Sequence, residues 1–268
     1  MNRRPWVLGA VVALVFLFLY APIAWLAIAS FNSSRSLSRI SGFSLRWYAE
    51  LADDTRVFAS LRLTLELALA SAVISTVIGT LAAFGLRRAF PGRGLWTVLL
   101  SLPLVVPEVV MGVAMLGFFV KLVGVPLGFG PLLCAHVAFS LSFVVVVVRS
   151  RVSGMDARME EAAADLGASP FVAFRTVTLP LVAPAVVAGA AFAFLLSFDD
   201  VVISSYLTGV GSTTLPVFVY AQASKRGISP EIVALSTVMV AATALLLVAG
   251  VVVASWRARR AGRAAVLV

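Results

Sequence analysis

Six long apolar segments constrain this chain more than any other feature of its sequence. Each offers close to the ~20 mainly apolar residues that an α-helix needs to cross about 30 Å of hydrocarbon, although the fourth is short. In lipid every backbone polar group must be bonded internally, so such segments form helices. The predicted spans are Trp6–Ser30, Leu63–Leu86, Leu95–Val120, Leu132–Val148, Leu179–Ser197 (with room to extend to Leu207) and Ile232–Ser255. We therefore predict an all-α fold: a polytopic bundle of six transmembrane helices forming one domain, residues 1–268.

The composition supports this prediction. Hydrophobic residues make up 61% of the 268 residues and charged residues only 12%, whereas a soluble domain is about half apolar and a quarter charged. The apolar run Pro5–Ser30 follows two arginines, as a secretory signal would, but it exceeds the ~7–15 residues of a signal's apolar region. We interpret it as a retained first helix.

The basic residues predict the orientation of the helices. With the N-terminus inside, thirteen of the 21 lysines and arginines fall on the inner side and eight on the outer side. Basic residues favour cytoplasmic loops, so both termini are predicted to be cytoplasmic. The net charge of +9 then reflects anchoring at anionic lipid, with compact clusters such as Arg257–Arg263, rather than a nucleic-acid partner.

The inner loop between the fourth and fifth segments, residues 149–180, carries strong helix signals. The stretch Met155–Leu166 is rich in Ala, Glu, Met and Leu, and Asp156 can cap its first turn. Gly167 follows at a position typical of a helix C-terminus, where glycine adopts the left-handed conformation at little cost. A helix that ends at this glycine is predicted.

A second short helix, Pro170–Thr176, is predicted from Ser169 as N-cap and proline at the first helical position. It would expose Phe171 and Phe174 in a charged surrounding. Two interpretations remain open from these residues alone: an amphipathic linker resting on the bilayer, or a docking surface for a partner protein.

The same loop carries a resemblance. Glu161-Ala162-Ala163, then Gly167 after three residues, then Val177-x-Leu179-Pro180 after nine, resembles the EAA loop of ABC-importer permeases. That family's pattern is Glu-Ala-Ala, three residues, Gly, nine residues, Ile-x-Leu-Pro, and Val177 is the single departure. We identify the chain from this spacing as a member of that family, and name residues 149–180 the coupling loop.

The resemblance implies a set of partners and roles. The coupling loop would dock in a groove of a cytoplasmic ATPase dimer, which holds ATP and Mg, so this chain would be no enzyme and would carry no cofactor. Glu161 would make polar contacts and Gly167 the turn, while Leu179-Pro180 join the loop to the fifth span; we add that Phe171 and Phe174 would fill the groove's apolar part. The expected partners also include a second, non-identical permease subunit and an extracytoplasmic substrate-binding protein. The expected location is the bilayer of a bacterial inner membrane.

Further stretches resemble the polyamine-importing branch of this family, which implies putrescine or spermidine as substrate. They are Phe31–Ser34, Leu104–Val110, Ser197–Val202, Thr208–Pro216 and Ser229–Leu235. Iron, sulfate or another small solute remains an alternative within the same superfamily.

Three acidic residues at membrane depth are the candidate substrate-path residues. Glu108 follows Pro107 near the middle of the third span, and Asp199 and Asp200 follow Phe198 at the outer end of the fifth. A charge at the bilayer centre costs about 2.5–3.5 kcal/mol on insertion scales, so such residues usually face an interior or an aqueous path. Paired carboxylates suit a di- or tri-cationic amine, and Phe198 and Tyr206 could add cation–π contacts.

Structural interpretations of these acids stay open. Glu108 could be protonated or paired with an arginine of a neighbouring subunit, and the two aspartates could simply end a helix at the water interface. No metal site is predicted, because one histidine, His136, and one cysteine, Cys134, fall short of a ligand set. We expect His136 to form a hydrogen bond between helices and Cys134 to be a small buried side chain.

Other functional classes fit less well. The chain has no phosphate-binding Gly-rich loop ending in Lys-Ser/Thr, so nucleotide chemistry is not expected on it. An intramembrane protease would need an activated serine near His136 or aspartates on separate spans, whereas Asp199 and Asp200 are adjacent. An ion-coupled secondary transporter usually contains inverted repeats, which are not evident, and would have no use for an ATPase-docking loop.

Overall fold

Residues 5–35, 39, 41–156, 158–245 and 248 are described by the structure, a computed structural model. Their regular structure is helical, apart from an isolated antiparallel bridge between Asn32 and Phe43. The helices are α1 (Pro5–Ala29), α2 (Arg46–Asp53), α3 (Thr55–Gly85), α4 (Arg93–Ser101), α5 (Glu108–Gly117), α6 (Phe129–Ser153), α7 (Arg158–Asp165), α8 (Pro170–Ala173), α9 (Leu179–Phe198), α10 (Val202–Leu207), α11 (Leu215–Arg226) and α12 (Pro230–Leu245). The predicted all-α class is confirmed.

Four helical segments within the described residues are long and apolar enough to cross a membrane: Trp6–Ala29, Thr55–Gly85, Phe129–Ser153 and Pro170–Phe198. The predicted sixth span appears as the shorter α12, and the rest of its predicted range, with the basic cluster Arg257–Arg263, lies outside the described residues. The count of six spans and the cytoplasmic termini stay predictions.

The predicted third span, Leu95–Val120, is not one straight helix. The segments Arg93–Leu104 and Glu108–Val123 meet at an angle of 106° and together could form a fifth crossing. Pro103 lies in a 3-10 turn at the end of the first segment, and Pro107 precedes the second with an extended backbone. Proline supplies no N–H for the helical ladder, which explains why the helix breaks here. Glu108 consequently begins a helix instead of lying within one.

The chain groups into two compact units, Arg56–Tyr220 and the combination of Met1–Thr55 with Ala221–Val268. In the second unit α1 is exposed along Trp6–Leu26 on every face, as expected of an apolar helix that meets lipid or another subunit. After it, Trp47 of α2 is buried and donates its indole N–H to the Asn32 carbonyl at 2.6 Å. The single-domain prediction stays a prediction.

The core of the Arg56–Tyr220 unit lies where α6 packs against α3 and α9. Val144 of α6 is fully buried, and glycines on both neighbouring helices make room for it. A Cβ at Gly79 of α3 would lie 2.7 Å from Cγ1 of Val144, and one at Gly189 of α9 would lie 3.4 Å from it. Small residues at these two positions therefore allow the close helix approach typical of membrane bundles.

Cys134 does not lie in this core. Its side chain is free and exposed on the surface of α6, so the expectation of a buried cysteine is wrong. Its neighbours Leu132, Ala135 and His136 are the residues of this turn that point inward.

Candidate functional site

The first helix of the coupling loop, α7, lies within the predicted stretch Met155–Leu166 and has the predicted signals at its two ends. Asp156 Oδ1 accepts a hydrogen bond from the Arg158 backbone N–H at 3.0 Å. At the other end Gly167 has a φ of +83°, and the Ala168 N–H donates to the Ala163 carbonyl at 3.0 Å. This is the usual end of an α-helix at a residue in the left-handed backbone conformation, for which glycine is favoured. Along α7 the side chains of Glu161 and Ala162 are exposed.

The second helix of the coupling loop continues without interruption into α9. Ser169 Oγ accepts from the Val172 N–H at 3.4 Å, with Pro170 at the first helical position, as predicted. The predicted end at Thr176 is wrong, because a π-helical turn, Phe174–Thr178, joins α8 to α9. Pro180 cannot donate a helical bond, and an extra residue in the turn accommodates that loss. The coupling loop and the fifth predicted span thus share one continuous helical backbone.

Glu160, the residue before the Glu-Ala-Ala motif, connects the coupling loop to α3 and α9. Arg87, just after α3, donates to its two carboxylate oxygens at 2.8 and 3.0 Å. Thr178 Oγ1 donates to the same carboxylate at 2.7 Å. These hydrogen bonds hold the pKa of Glu160 below its usual value, against a smaller opposing effect of burial. Sequence reasoning missed this residue, because the motif singles out Glu161 and nothing local identifies an arginine 73 residues away as a partner.

The two aromatic residues of the coupling loop differ in exposure. Phe171 is 71% exposed, and Leu166, which follows α7, is 91% exposed. Phe174 instead packs edge-to-face on Phe84 of α3, with ring centroids 5.5 Å apart. A cavity of about 710 Å³ lies beside these rings and is lined by Arg87, Glu160 and Glu161 among others. Leu166 and Phe171 are therefore the most exposed apolar side chains among the described residues of the coupling loop, while Phe174 is partly covered by Phe84.

The three candidate path carboxylates come together but are not equivalent. Glu108 and Asp199 are exposed, and Glu108 lies close enough to Asp199 and Asp200 for their charges to interact. Asp200 is only 6% exposed at its side chain. Its two oxygens accept from the backbone N–H groups of Ile203 and Ser204, at 3.2 and 2.7 Å. Asp200 therefore caps the first turn of α10, and Glu108 and Asp199 are the acids left to meet a ligand.

The fifth predicted span ends at Phe198, and residues 199–201 separate it from α10. We name these three residues the α9–α10 break. The suggested extension of one helix to Leu207 is thus wrong, because Asp200 supplies a new N-terminal cap and restarts the helix. α9 does end directly before this pair, while the position of the pair at a water interface stays a prediction.

His136 lies beneath the α9–α10 break and is 2% exposed. Its Nδ1 is 2.7 Å from Ser197 Oγ, its Nε2 is 3.1 Å from Ser204 Oγ, and the same Nε2 is 3.5 Å from Asp200 Oδ2. The expected hydrogen-bonded histidine between helices is confirmed. Sequence reasoning did not foresee that its partners flank the two aspartates.

The two candidate path aromatics also contact the chain itself. Tyr206 of α10 packs on Gly112 of α5, where a Cβ would lie 2.5 Å from the tyrosine Cδ2. Phe198 stacks on Phe194 with centroids 5.6 Å apart. Gly112 lies one helical turn after Glu108, so Tyr206 is held on the same side of α5 as that carboxylate.

Among the described residues, no group of three histidine, cysteine, aspartate or glutamate side chains is placed to hold a metal ion. The prediction that this chain carries neither a metal nor a cofactor stays a prediction.

Comparison with known proteins places these features in context. Residues 75–263 match the family described as "Binding-protein-dependent transport system inner membrane component". The putrescine transport system permease protein PotI of Escherichia coli (strain K12) is 40% identical over 251 residues, covering 91% of this chain and 89% of the relative. The spermidine/putrescine transport system permease protein PotC of the same organism is 40% identical over 247 residues, covering 92% and 93%. The sulfate transport system permease protein CysT of Salmonella typhimurium is 30% identical over 235 residues, covering 80% and 82%.

Solved structures share the fold. A chain of a bacterial ABC transporter that imports the polysaccharide alginate matches with a TM-score of 0.70 and 16% identity, over 94% of this chain and 97% of that one. A chain of the bacterial alginate transporter in complex with its pentasaccharide-bound periplasmic protein matches with a TM-score of 0.67 and 15% identity, over 91% and 92%. At these identities the similarity concerns the fold alone.

Proposed function

The chain belongs to the family of binding-protein-dependent transport system inner membrane components and is a permease subunit of an ABC importer, and from this premise we propose that its substrate is a polyamine, putrescine or spermidine. The observation that carries the proposal is the 40% identity to both a putrescine and a spermidine/putrescine permease over nine-tenths of the chain. The sulfate permease is more distant, at 30%.

The path carboxylates support a cationic substrate. Glu108 and Asp199 are exposed and lie within range of each other's charges. Like charges within range of each other repel, and a bound dication relieves that repulsion. An anion such as sulfate would meet the same charges unfavourably. We assign direct contact with the substrate to Glu108 and Asp199, and cation–π contact to Phe198 and Tyr206. Asp200 would hold the α9–α10 break and keep its negative charge near the substrate.

The coupling loop is proposed to dock on the ATPase dimer. Its exposed Glu161, Ala162, Phe171 and Leu166 would face that partner, Ala163 and Gly167 would shape the turn, and Leu179-Pro180 would carry motion into α9. The continuous helix Pro170–Phe198 supports this role, because a rigid segment transmits displacement from one end to the other.

The remaining assembly is also a proposal. It comprises six spans with cytoplasmic termini, a second permease of different sequence, an extracytoplasmic binding protein and a bacterial inner membrane. ATP and Mg would belong to the ATPase subunits.

Uptake kinetics test the substrate assignment. In proteoliposomes holding the whole complex, we expect Glu108→Gln and Asp199→Asn each to raise the KM for putrescine about tenfold or more, since a charge-assisted hydrogen bond contributes ~1.5–3 kcal/mol. Glu66→Gln is the matched control, because Glu66 is exposed on a span and pairs with Arg62. Unchanged KM values in both path variants would contradict the proposed role of these carboxylates.

A further inference from the structure

His136 of α6 lies within hydrogen-bond distance of both helices at the α9–α10 break. Ser197 belongs to the last turn of α9 and Ser204 to α10, and each hydroxyl lies within hydrogen-bond distance of a different ring nitrogen. The imidazole is almost fully buried, so these contacts are shielded from water. The ring therefore links α6, α9 and α10 at one point.

The same ring contacts Asp200, the second of the two aspartates at the break. Asp200 turns inward, with its Oδ2 3.5 Å from His136 Nε2 and both oxygens bonded to the start of α10. Asp199 precedes it directly and is exposed. Because the residues are adjacent in a short non-helical connection, a change in the direction of Asp200 also changes that of Asp199.

We propose that His136 is a positioning residue for substrate recognition: it fixes the α9–α10 break so that Asp199 faces the path together with Glu108. His136 acts without touching the substrate. Loss of the imidazole removes the hydrogen-bond partner that the buried hydroxyls of Ser197 and Ser204 share, and so loosens the break. The inference rests on the proposed function, in which Glu108 and Asp199 meet a polyamine.

Uptake kinetics of the reconstituted complex separate positioning from folding. We expect His136→Leu to raise the KM for putrescine about tenfold while the maximal rate per assembled complex stays within about twofold. His136→Gln, whose amide offers both a donor and an acceptor, should recover most of the wild-type KM, and Ser204→Ala should raise it less than His136→Leu does. A wild-type KM in assembled His136→Leu and Ser204→Ala complexes would overturn the inference.

The variant Asp199→Asn distinguishes failure of the positioning role of His136 from failure of the proposed function. If Asp199→Asn leaves the KM unchanged, the substrate path itself is wrong. If Asp199→Asn raises the KM and the His136 and Ser204 variants do not, the path stands and the positioning role is wrong.

Thiol labelling provides a readout that needs no substrate. Cys134 is exposed and must first be replaced by alanine. In that background, Asp199→Cys should react with a small cationic methanethiosulfonate reagent at a rate that His136→Leu changes by at least about fivefold, since the break is no longer held. Glu66→Cys, at an exposed position of α3, should react at the same rate with and without His136→Leu. Equal rates at position 199 would contradict the proposal.

Discussion

Arg87 and Glu160 form a two-point contact between α3 and the coupling loop, with the Arg87 Nη1 2.8 and 3.0 Å from the two Glu160 oxygens. Thr178, at the junction with α9, donates to the same carboxylate. One side chain of the loop thus contacts the ends of two long helices. We infer that displacement of the coupling loop by its partner reaches α3 through this carboxylate and α9 through the continuous backbone.

Glu160→Gln tests this transmission. Removing the charge should lower the amount of substrate transported per ATP hydrolysed, by about fivefold at most, because partly exposed ion pairs contribute ~0.2–1 kcal/mol. The measurement is the ratio of uptake to ATP hydrolysis in proteoliposomes. Asp165→Asn, also on α7 and exposed, is the matched control and should keep the wild-type ratio. The double variant Arg87→Glu with Glu160→Arg restores the ion pair in reverse and should recover part of the wild-type ratio. An unchanged ratio in Glu160→Gln would contradict the proposed transmission.

The same carboxylate predicts a pH dependence of stability. Its folded-state pKa lies below the ordinary value of 4.5, so its contribution is complete above that value and is lost as the pH falls through the lower folded-state pKa. We expect wild type to unfold at a higher temperature than Glu160→Gln at pH 7, and the difference to shrink as the pH falls below 4.5. Thermal unfolding of both detergent-solubilised proteins measures it. A difference that grows on acidification would contradict the assigned pKa direction.

Gly167→Ala tests the turn after α7. No atom lies within 4 Å of a Cβ at this position, so its φ of +83° is the only obstacle to a side chain. The left-handed conformation should cost alanine about 1 kcal/mol, and asparagine less. Thermal unfolding compares these variants with Gly94→Ala, a helical glycine that is equally open and should lose no stability. Equal stabilities for Gly167→Ala and wild type would indicate that the turn tolerates another conformation.

Gly112→Ala tests the contact between α5 and α10. The added Cβ would lie 2.5 Å from Cδ2 of Tyr206, so the ring must move, at a cost of about 1–3 kcal/mol. Adding Tyr206→Ala to this variant should then lower the unfolding free energy much less than Tyr206→Ala does in the wild type. A double-mutant cycle of unfolding free energies detects this coupling. Gly117→Ala, on the same helix with nothing within 4 Å, is the control, and additive effects at Gly112 and Tyr206 would contradict the contact.

The sequence was a good guide where the determinants are local. Asp156, Gly167 and Ser169 act within a few residues of themselves, and the structure places each at the helix end that its chemistry predicts. The apolar segments were likewise identified from length alone. Pro103 and Pro107 are local signals for the break in the third predicted span, but its angle of 106° depends on what the two segments pack against.

The sequence was a poor guide where tertiary partners decide. Asp199 and Asp200 are identical residues side by side, yet Asp200 caps α10 beside His136 and Asp199 is exposed. The contact of Asp200 with His136 on α6 is the part of this difference that no local pattern predicts. Glu160 and Glu161 differ in the same way, since Arg87 contacts the first and the family motif singles out the second. Such choices between neighbours require the three-dimensional arrangement.

The most direct test of the substrate assignment is the ATPase activity of the reconstituted complex with its binding protein, measured against putrescine, spermidine and sulfate. We expect stimulation by one or both amines and none by sulfate, and in Asp199→Asn the amine response should require about tenfold higher amine concentrations. Stimulation by sulfate and not by either amine would keep the chain in its permease family and contradict the polyamine assignment.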